Sequence, residues 1–244
     1  MGQAFLIAGQ SDFVLRNGQA VFGSISSPNT DAASYTFANI GFQPSACCIW
    51  NTFAINKTGT SSGTATRGIA IAKIIGADYD VHCSGSYSES GGYLSSYFKF
   101  GTQHTLSYNA NTKAVVVSSS AGGTYNQLPW NVSGYTMYFL FLRGDCNVMA
   151  TTAQGTSLRV SAPKQPLYGI AYAQKNASAS DSYAFLQMCA PNRSHYYLSS
   201  PQSGYANTGH FSLTSGLTFD AASKNAIFAA PSWVAADKTY YTYA

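Results

Sequence analysis

Charge is scarce in this 244-residue chain. Asp, Glu, Lys and Arg together make up 9% of it, whereas an ordinary soluble domain has about 25%. The formal net charge of +4 is spread over the length with no basic run, which argues against nucleic acid as a partner. A surface with so few charges is either covered by other subunits or built of hydroxyl and amide groups. We expect assembly with its own copies.

Long hydrophobic runs are also missing. The apolar stretch at residues 4–8 is too short for a signal-peptide core, and no Lys or Arg precedes it. No run approaches the roughly 20 apolar residues that span a bilayer. We therefore predict no membrane insertion and production in a cytoplasm.

The cysteines lack the spacing of a disulfide framework or of a zinc site. Their number is odd, and no CxxC pair occurs. We predict that all five are reduced and mostly buried. They are Cys47, Cys48, Cys83, Cys146 and Cys189.

Catalytic motifs are absent as well. The segment Gly85-Ser86-Tyr87-Ser88-Glu89 lacks the second glycine of a nucleophile elbow. Glu89 is the chain's one glutamate, and no aspartate forms a recognisable acid pair with it. We expect neither an enzyme nor a cofactor. A β-sandwich hydrolase stays open as an alternative, because a polar pocket can converge in space without a motif.

Aromatic residues are abundant, at 14%, and apolar residues alternate along most segments, which predicts a nearly all-β, antiparallel fold. Two halves repeat one order of motifs. Gln43-Pro44 opens an apolar strand in the first half, as Gln165-Pro166 does in the second. Two related β-sandwich-like units are therefore predicted, over residues 1–145 and 146–244, from an internal duplication.

Individual segments refine this prediction. Residues 134–143 are apolar on both faces, which is typical of a strand buried between two sheets. The Ala-rich segment Asp220–Lys224 has helical propensity, but it matches the hairpin turn after Asn109, so we predict a turn. Long polar loops are predicted at residues 56–67, 84–96, 118–127 and 174–182.

Two candidate sites emerge. The first is a set of tyrosines in Gly/Ser-rich surroundings, which could stack on a sugar from exposed loops. These are Tyr87, Tyr93, Tyr97, Tyr196, Tyr197 and Tyr205. The second is Asp78, Asp80 and His82, which would share one face of an extended strand and could hold a divalent ion. The alternative for this trio is an ordinary solvent-facing strand, and no metal is the main expectation.

Three motifs resemble virion proteins of tailed bacteriophages, especially tail-fibre and fibre-associated proteins. They are Gly41-Phe42-Gln43-Pro44 leading into the strand Ala46–Trp50, the run Leu106–Ala110, and Asn131–Tyr135 before an aromatic strand. The second half departs from this pattern, since Lys164 precedes Gln165-Pro166 in place of the Gly-Phe pair.

The resemblance implies a virion location after synthesis in the host cytoplasm, and a homotrimer that contacts other virion proteins or a host-surface glycan. It brings no catalytic residues. A receptor-binding component of the tail fibre is the leading expectation. A capsid decoration protein and a carbohydrate-binding module of a secreted protein are the alternatives.

Overall fold

Alternation of apolar and polar residues gives an all-β chain wherever the backbone is described. The computed structural model describes residues 3–6, 13–16, 20–28, 30–51, 66–88, 93–120, 128–131, 136–144, 147–151, 157–162, 165–166, 168–174, 184–190, 193–202, 205–213, 217–229 and 238–243. These ranges hold twenty strands and no helix. No helix that could cross a membrane occurs within them either.

The chain divides into unit 1, Met1–Gly144, and unit 2, Asp145–Ala244, one residue from the predicted boundary. Unit 1 contains β1 (Gln3–Leu6), β2 (Phe13–Arg16), β3 (Ala20–Ser26), β4 (Ser34–Phe37), β5 (Ala46–Asn51), β6 (Thr66–Ile74), β7 (Asp80–Ser88), β8 (Tyr93–Gly101), β9 (His104–Asn109), β10 (Ala114–Ser119) and β11 (Thr136–Leu142). Unit 2 contains β12 (Asn147–Thr151), β13 (Ser157–Ser161), β14 (Gly169–Gln174), β15 (Ala184–Ala190), β16 (Arg193–Gln202), β17 (Tyr205–Leu213), β18 (Leu217–Asp220), β19 (Asn225–Ala229) and β20 (Lys238–Tyr243).

Each unit has a large sheet and a small sheet of antiparallel strands. In unit 1 the large sheet has the order β1-β2-β3-β11-β5-β6-β7-β8, and the small sheet has the order β4-β10-β9. In unit 2 the orders are β12-β20-β14-β15-β16-β17 and β13-β19-β18. Adding nine to each label from β3 to β11 converts the first topology into the second. This shared order is what an internal duplication would produce, and the duplication itself stays a prediction.

The core of unit 1 lies between its two sheets. Apolar side chains of β5 and β11 in the large sheet pack against β4 and β10 in the small sheet. Phe37 of β4 contacts Phe139 and Phe141 of β11, with ring centroids 5.2 and 5.0 Å apart. Trp130 is fully buried, and its indole N–H donates to the carbonyl of Ala32 at 2.8 Å. The ring thereby ties the segment before β4 to the core.

The central strands are buried on both faces, as the two-sided apolar pattern predicts. All six residues of β5 are buried. On the face away from the small sheet, Trp50 stacks with Phe22 and Tyr138 at centroid distances of 6.2 and 5.6 Å. In unit 2, the consecutive residues Ile170, Ala171 and Tyr172 of β14 are likewise inaccessible. Because this burial occurs within one chain, two-sided apolar strands do not by themselves require a second subunit.

The surface of the described residues is polar although it carries little charge. Among the described large apolar side chains, Ile75 alone is exposed, at 43%. Three of the cysteines, Cys47, Cys48 and Cys189, are reduced and buried as predicted. The side chains of the other two lie outside the described residues.

One hairpin turn occurs in both small sheets. In unit 1 the Asn109 side chain accepts hydrogen bonds from the N–H groups of Asn111 and Thr112 at 3.0 and 3.2 Å. In unit 2 the Asp220 carboxylate accepts hydrogen bonds from the N–H groups of Ala222 and Ser223 at 3.1 and 3.3 Å. Each turn ends on a lysine with positive φ, 54° at Lys113 and 51° at Lys224. The turn predicted over Asp220–Lys224 is confirmed, because side-chain capping outweighs the helical propensity of alanine.

Candidate functional site

A row of polar side chains crosses the large sheet of unit 1 on its core-facing side. Cys47 of β5 pairs with Lys73 of β6. The β6–β7 register, in which Ala72 pairs with Val81, then brings Lys73 beside Asp80. His82 lies two residues further along β7 and so shares the face of Asp80. With His104, which begins β9 in the small sheet, these residues form what we call the inter-sheet cluster.

Asp80 is the centre of this cluster. One carboxylate oxygen accepts from Lys73 Nζ at 2.9 Å, and the other accepts from the backbone N–H of His104 at 2.9 Å. The imidazole Nδ1 of His104 lies 3.8 Å from that second oxygen. Asp80 is 2% exposed, whereas the Lys73 side chain is 22% exposed. A single aspartate therefore joins β6 and β7 to His104, the first residue of β9 in the small sheet.

Two histidine rings face each other between the sheets. The centroids of His82 and His104 are 5.7 Å apart, and the ring planes differ by 15°. Both residues are buried, at 2% and 4% exposure. With an effective dielectric constant of about 20, two unit charges at this separation repel by about 3 kcal/mol. The stack therefore suits neutral imidazoles and opposes a second positive charge.

Cys47 adds a thiol to the row but little reactivity. Burial, followed by the nearby charge of Asp80, raises the pKa of the Cys47 thiol to about 12. Only a thiolate is an effective nucleophile or metal ligand. The thiol therefore acts as a small packing group at neutral pH.

The predicted metal trio does not assemble as expected. Asp78 lies in the turn before β7 and is exposed, whereas Asp80 and His82 are buried in the strand. The solvent-facing alternative is also wrong for these two residues, because β7 turns them toward the small sheet. Within the described part of the chain, no group of three His, Cys, Asp or Glu residues has metal-binding geometry.

The six candidate tyrosines lie on strands, which corrects the loop prediction for residues 84–96. Tyr87 is on β7, and Tyr93 and Tyr97 are on β8. Tyr196 and Tyr197 are on β16, and Tyr205 begins β17. Ser and Gly suggested a loop, but aromatic residues favour strands, and these segments pair with their neighbours. Their side chains lie outside the described residues, so their sugar-binding role stays a prediction.

Sequence reasoning missed Lys73, His104 and the role of Cys47. They come from three different strands. Strand register brings Cys47 and Lys73 to Asp80, and packing of the small sheet on the large sheet brings His104 there. The sequence does give a signal for Lys73, which is a charged residue near the end of the apolar run Ile69–Ile74. A lysine placed on a core-facing strand position needs an anionic partner.

Unit 2 places uncharged residues at the same positions. Cys47 and Gly169 each follow a Gln-Pro pair by three residues, on the equivalent strands β5 and β14. Gly169 pairs with Cys189, and Cys189 pairs with Ser194. Gln187 pairs with Tyr196, as Ile71 pairs with His82 in unit 1. The counterparts of Lys73, Asp80 and His82 are thus Cys189, Ser194 and Tyr196.

The two units therefore share a strand order and differ in the residues at these corresponding strand positions. Comparison of the chain with protein-family models, with curated proteins and with solved structures found no match.

Proposed function

We propose that this chain is a structural virion protein of a tailed bacteriophage, of the tail-fibre or fibre-associated kind. The observation that carries the proposal is the repeated scaffold, in which one order of nine strands occurs twice. Repetition of a β unit multiplies surface and contact points without building a catalytic pocket. The phage-like motifs at Gly41–Pro44 and Leu106–Ala110 supply the virion context.

The inter-sheet cluster supports a structural role for unit 1. Its aspartate and both histidines are almost completely buried, so a substrate could not reach them without separation of the sheets. The two carboxylate oxygens of Asp80 accept hydrogen bonds from Lys73 and from the backbone of β9. Such a cluster stabilises the arrangement of two sheets and does not act on a ligand.

Association of the chain with a virion is tested by mass spectrometry and immunogold microscopy of purified particles from the source of the sequence. We expect peptides of both units in the particles and gold label at the tail. Absence of the chain from intact particles would overturn the proposal. Label over the capsid would instead favour a decoration protein.

Assembly with its own copies is part of the proposal and has a separate test. The low charge motivates it, and we expect a trimer, with a mass near three times 25.9 kDa. Light scattering at micromolar concentration measures this directly. A mass near that of one chain would contradict assembly without excluding a virion location.

The most specific part of the proposal is that the six candidate tyrosines bind a receptor on the host cell. Replacing Tyr87, Tyr93 and Tyr97 together by Ala should abolish binding of the purified chain to host cells, because the stacking rings are removed. The matched Phe variants keep the rings and should keep most binding. The same pair of variants applies to Tyr196, Tyr197 and Tyr205. If both Ala variants bind like the unaltered chain, these residues are not the receptor site.

A further inference from the structure

The inter-sheet cluster holds more potential positive charges than negative ones. At neutral pH the ammonium of Lys73 and the carboxylate of Asp80 offset each other across 2.9 Å. Protonation of His82 and His104 would add two positive charges in a site where both rings are at most 4% exposed. Asp80, whose carboxylate lies 3.8 Å from Nδ1 of His104, is already paired with Lys73. Protonation in acid would therefore add positive charge to the inter-sheet cluster of unit 1, and Asp80 alone would not offset it.

On the strands of unit 1 that the structure describes around the pair, the titratable groups do not offset this positive charge. On β5 the neighbouring group is the Cys47 thiol, whose raised pKa keeps it uncharged. On β8 the register partner of His82 is Lys99, a further cation by sequence. On β10 the register partner of His104 is Ser119, and that strand has no ionisable side chain. The small sheet's β4 carries only Tyr35, which is neutral in acid.

We propose that the stacked pair His82 and His104 is an acid-sensitive clasp between the two sheets of unit 1. While neutral, the rings pack β7 against β9, and their protonation drives the small sheet of unit 1 away from the large sheet. Unit 2 has Tyr196 at the position that corresponds to His82 and therefore lacks this response. Acid thus opens unit 1 selectively.

The sign of the effect follows from proton uptake. An unfolded histidine binds a proton below about pH 6.5, whereas the folded clasp excludes it. Stability falls with falling pH wherever the unfolded state binds more protons. For two histidines that stay neutral when folded, the unfolding equilibrium constant of unit 1 rises on the order of several hundred-fold between pH 7 and pH 5. We expect at least about a tenfold rise, because residual hydration of the site reduces the full effect.

Urea unfolding followed by tryptophan fluorescence tests this proposal on the full chain. Trp50 and Trp130 are buried in unit 1, and a Trp233→Phe background removes the tryptophan of unit 2. The double variant His82→Tyr with His104→Gln places at residue 82 the tyrosine that unit 2 has at the corresponding position. It should reduce the rise of the unfolding equilibrium constant between pH 7 and pH 5 to less than about threefold. The control variant His195→Gln with His210→Gln removes the two histidines of unit 2. It should leave the acid-induced rise in the unfolding equilibrium constant of unit 1 unchanged.

Two results would overturn the proposal. One is a rise of less than about threefold in the unfolding equilibrium constant of unit 1 between pH 7 and pH 5 in the chain with both histidines. The other is a rise in the double variant as large as that of this chain. A measurement on the unaltered chain covers the case in which that variant fails to fold. The imidazole proton signals of His82 and His104, identified by elimination with the His195 and His210 variants, should not titrate while unit 1 is folded. Free titration of both rings with midpoints near pH 6.5 in the folded chain would equally refute the clasp.

Discussion

Units 1 and 2 share a strand order and differ in the chemistry between their sheets. Both place a Gln-Pro pair before the central strand and close the small sheet with the same side-chain-capped turn. At corresponding register positions, unit 1 has Lys73, Asp80 and His82 where unit 2 has Cys189, Ser194 and Tyr196. The comparison teaches that turns and periodicity define this scaffold, whereas its interior can exchange charged for neutral groups.

The large sheets differ in extent as well. Unit 1 adds the hairpin β1–β2 beside β3, whereas the sheet of unit 2 ends at β12, the counterpart of β3. The nine shared strands are therefore the common scaffold, and the first two strands are an addition specific to unit 1. Comparisons of stability between the units should be made at positions within the shared strands.

The largest expected effect is that of Trp130→Ala. The ring is fully buried, donates to Ala32 and stacks with Tyr35 at 6.0 Å. Its removal should destabilise unit 1 by about 3–5 kcal/mol, measured by urea unfolding. Trp130→Phe keeps part of the packing and should cost less. Trp233 is the predicted counterpart in unit 2 and lies outside the described residues, so a small effect of Trp233→Ala would break the correspondence.

Asp80→Asn should have the next largest effect, about 3 kcal/mol at pH 7, since it leaves Lys73 without its buried anionic partner. Thermal unfolding at constant ionic strength measures the loss. Asp78→Asn is the matched control, because it removes an exposed charge two residues away and should change stability by less than about 0.5 kcal/mol. Equal effects of the two variants would show that Asp80 does not hold the sheets.

Gly169→Ala tests how tightly the sheets of unit 2 pack. An added Cβ would lie 2.7 Å from Cζ of Phe228 in the small sheet, so the ring must move, at a cost of about 1–3 kcal/mol. Gly23→Ala should cost a similar amount in unit 1, because its Cβ would meet the ring of Phe139. Unfolding of each variant by urea measures the cost. A neutral result at Gly169 would mean that the sheets of unit 2 are loosely packed.

The smallest expected effect comes from the hairpin turns. Lys113→Gly and Lys224→Gly relieve a positive φ in each turn, but glycine also increases the entropy of the unfolded chain. A net stabilisation of about 0.5 kcal/mol is expected for both variants. Chemical denaturation of the two single variants gives the values. Effects of opposite sign would show that the two turns are not equivalent.

Much of the fold could be predicted from the sequence. The apolar residues on both faces of segment 134–143 predicted a strand buried on both faces, and Asn109 and Asp220 predicted the two turns. The prediction failed at Ser84–Ser96, where Gly and Ser indicated a loop. There the ladder between β7 and β8 outweighs weak local propensity.

The candidate site was predicted only in part, for a different physical reason. Asp80 and His82 were chosen from their spacing, but their burial and their partners depend on strand register. Lys73 and His104 reach Asp80 from another strand and from another sheet. A one-residue slip of either strand would send these side chains to the opposite face, and no local pattern specifies that register.

Hydrogen exchange of the two small-sheet hairpins at pH 7 and pH 5 tests the contrast between the units most directly. Hydrogen bonds from Ser223 lower the pKa of Asp220, so its turn stays charged in this range and unit 2 serves as an internal reference. After correction for the intrinsic effect of pH, protection of β9–β10 should fall at least about tenfold in acid, while that of β18–β19 stays constant. Equal loss of protection in both hairpins, or loss confined to β18–β19, would contradict this account.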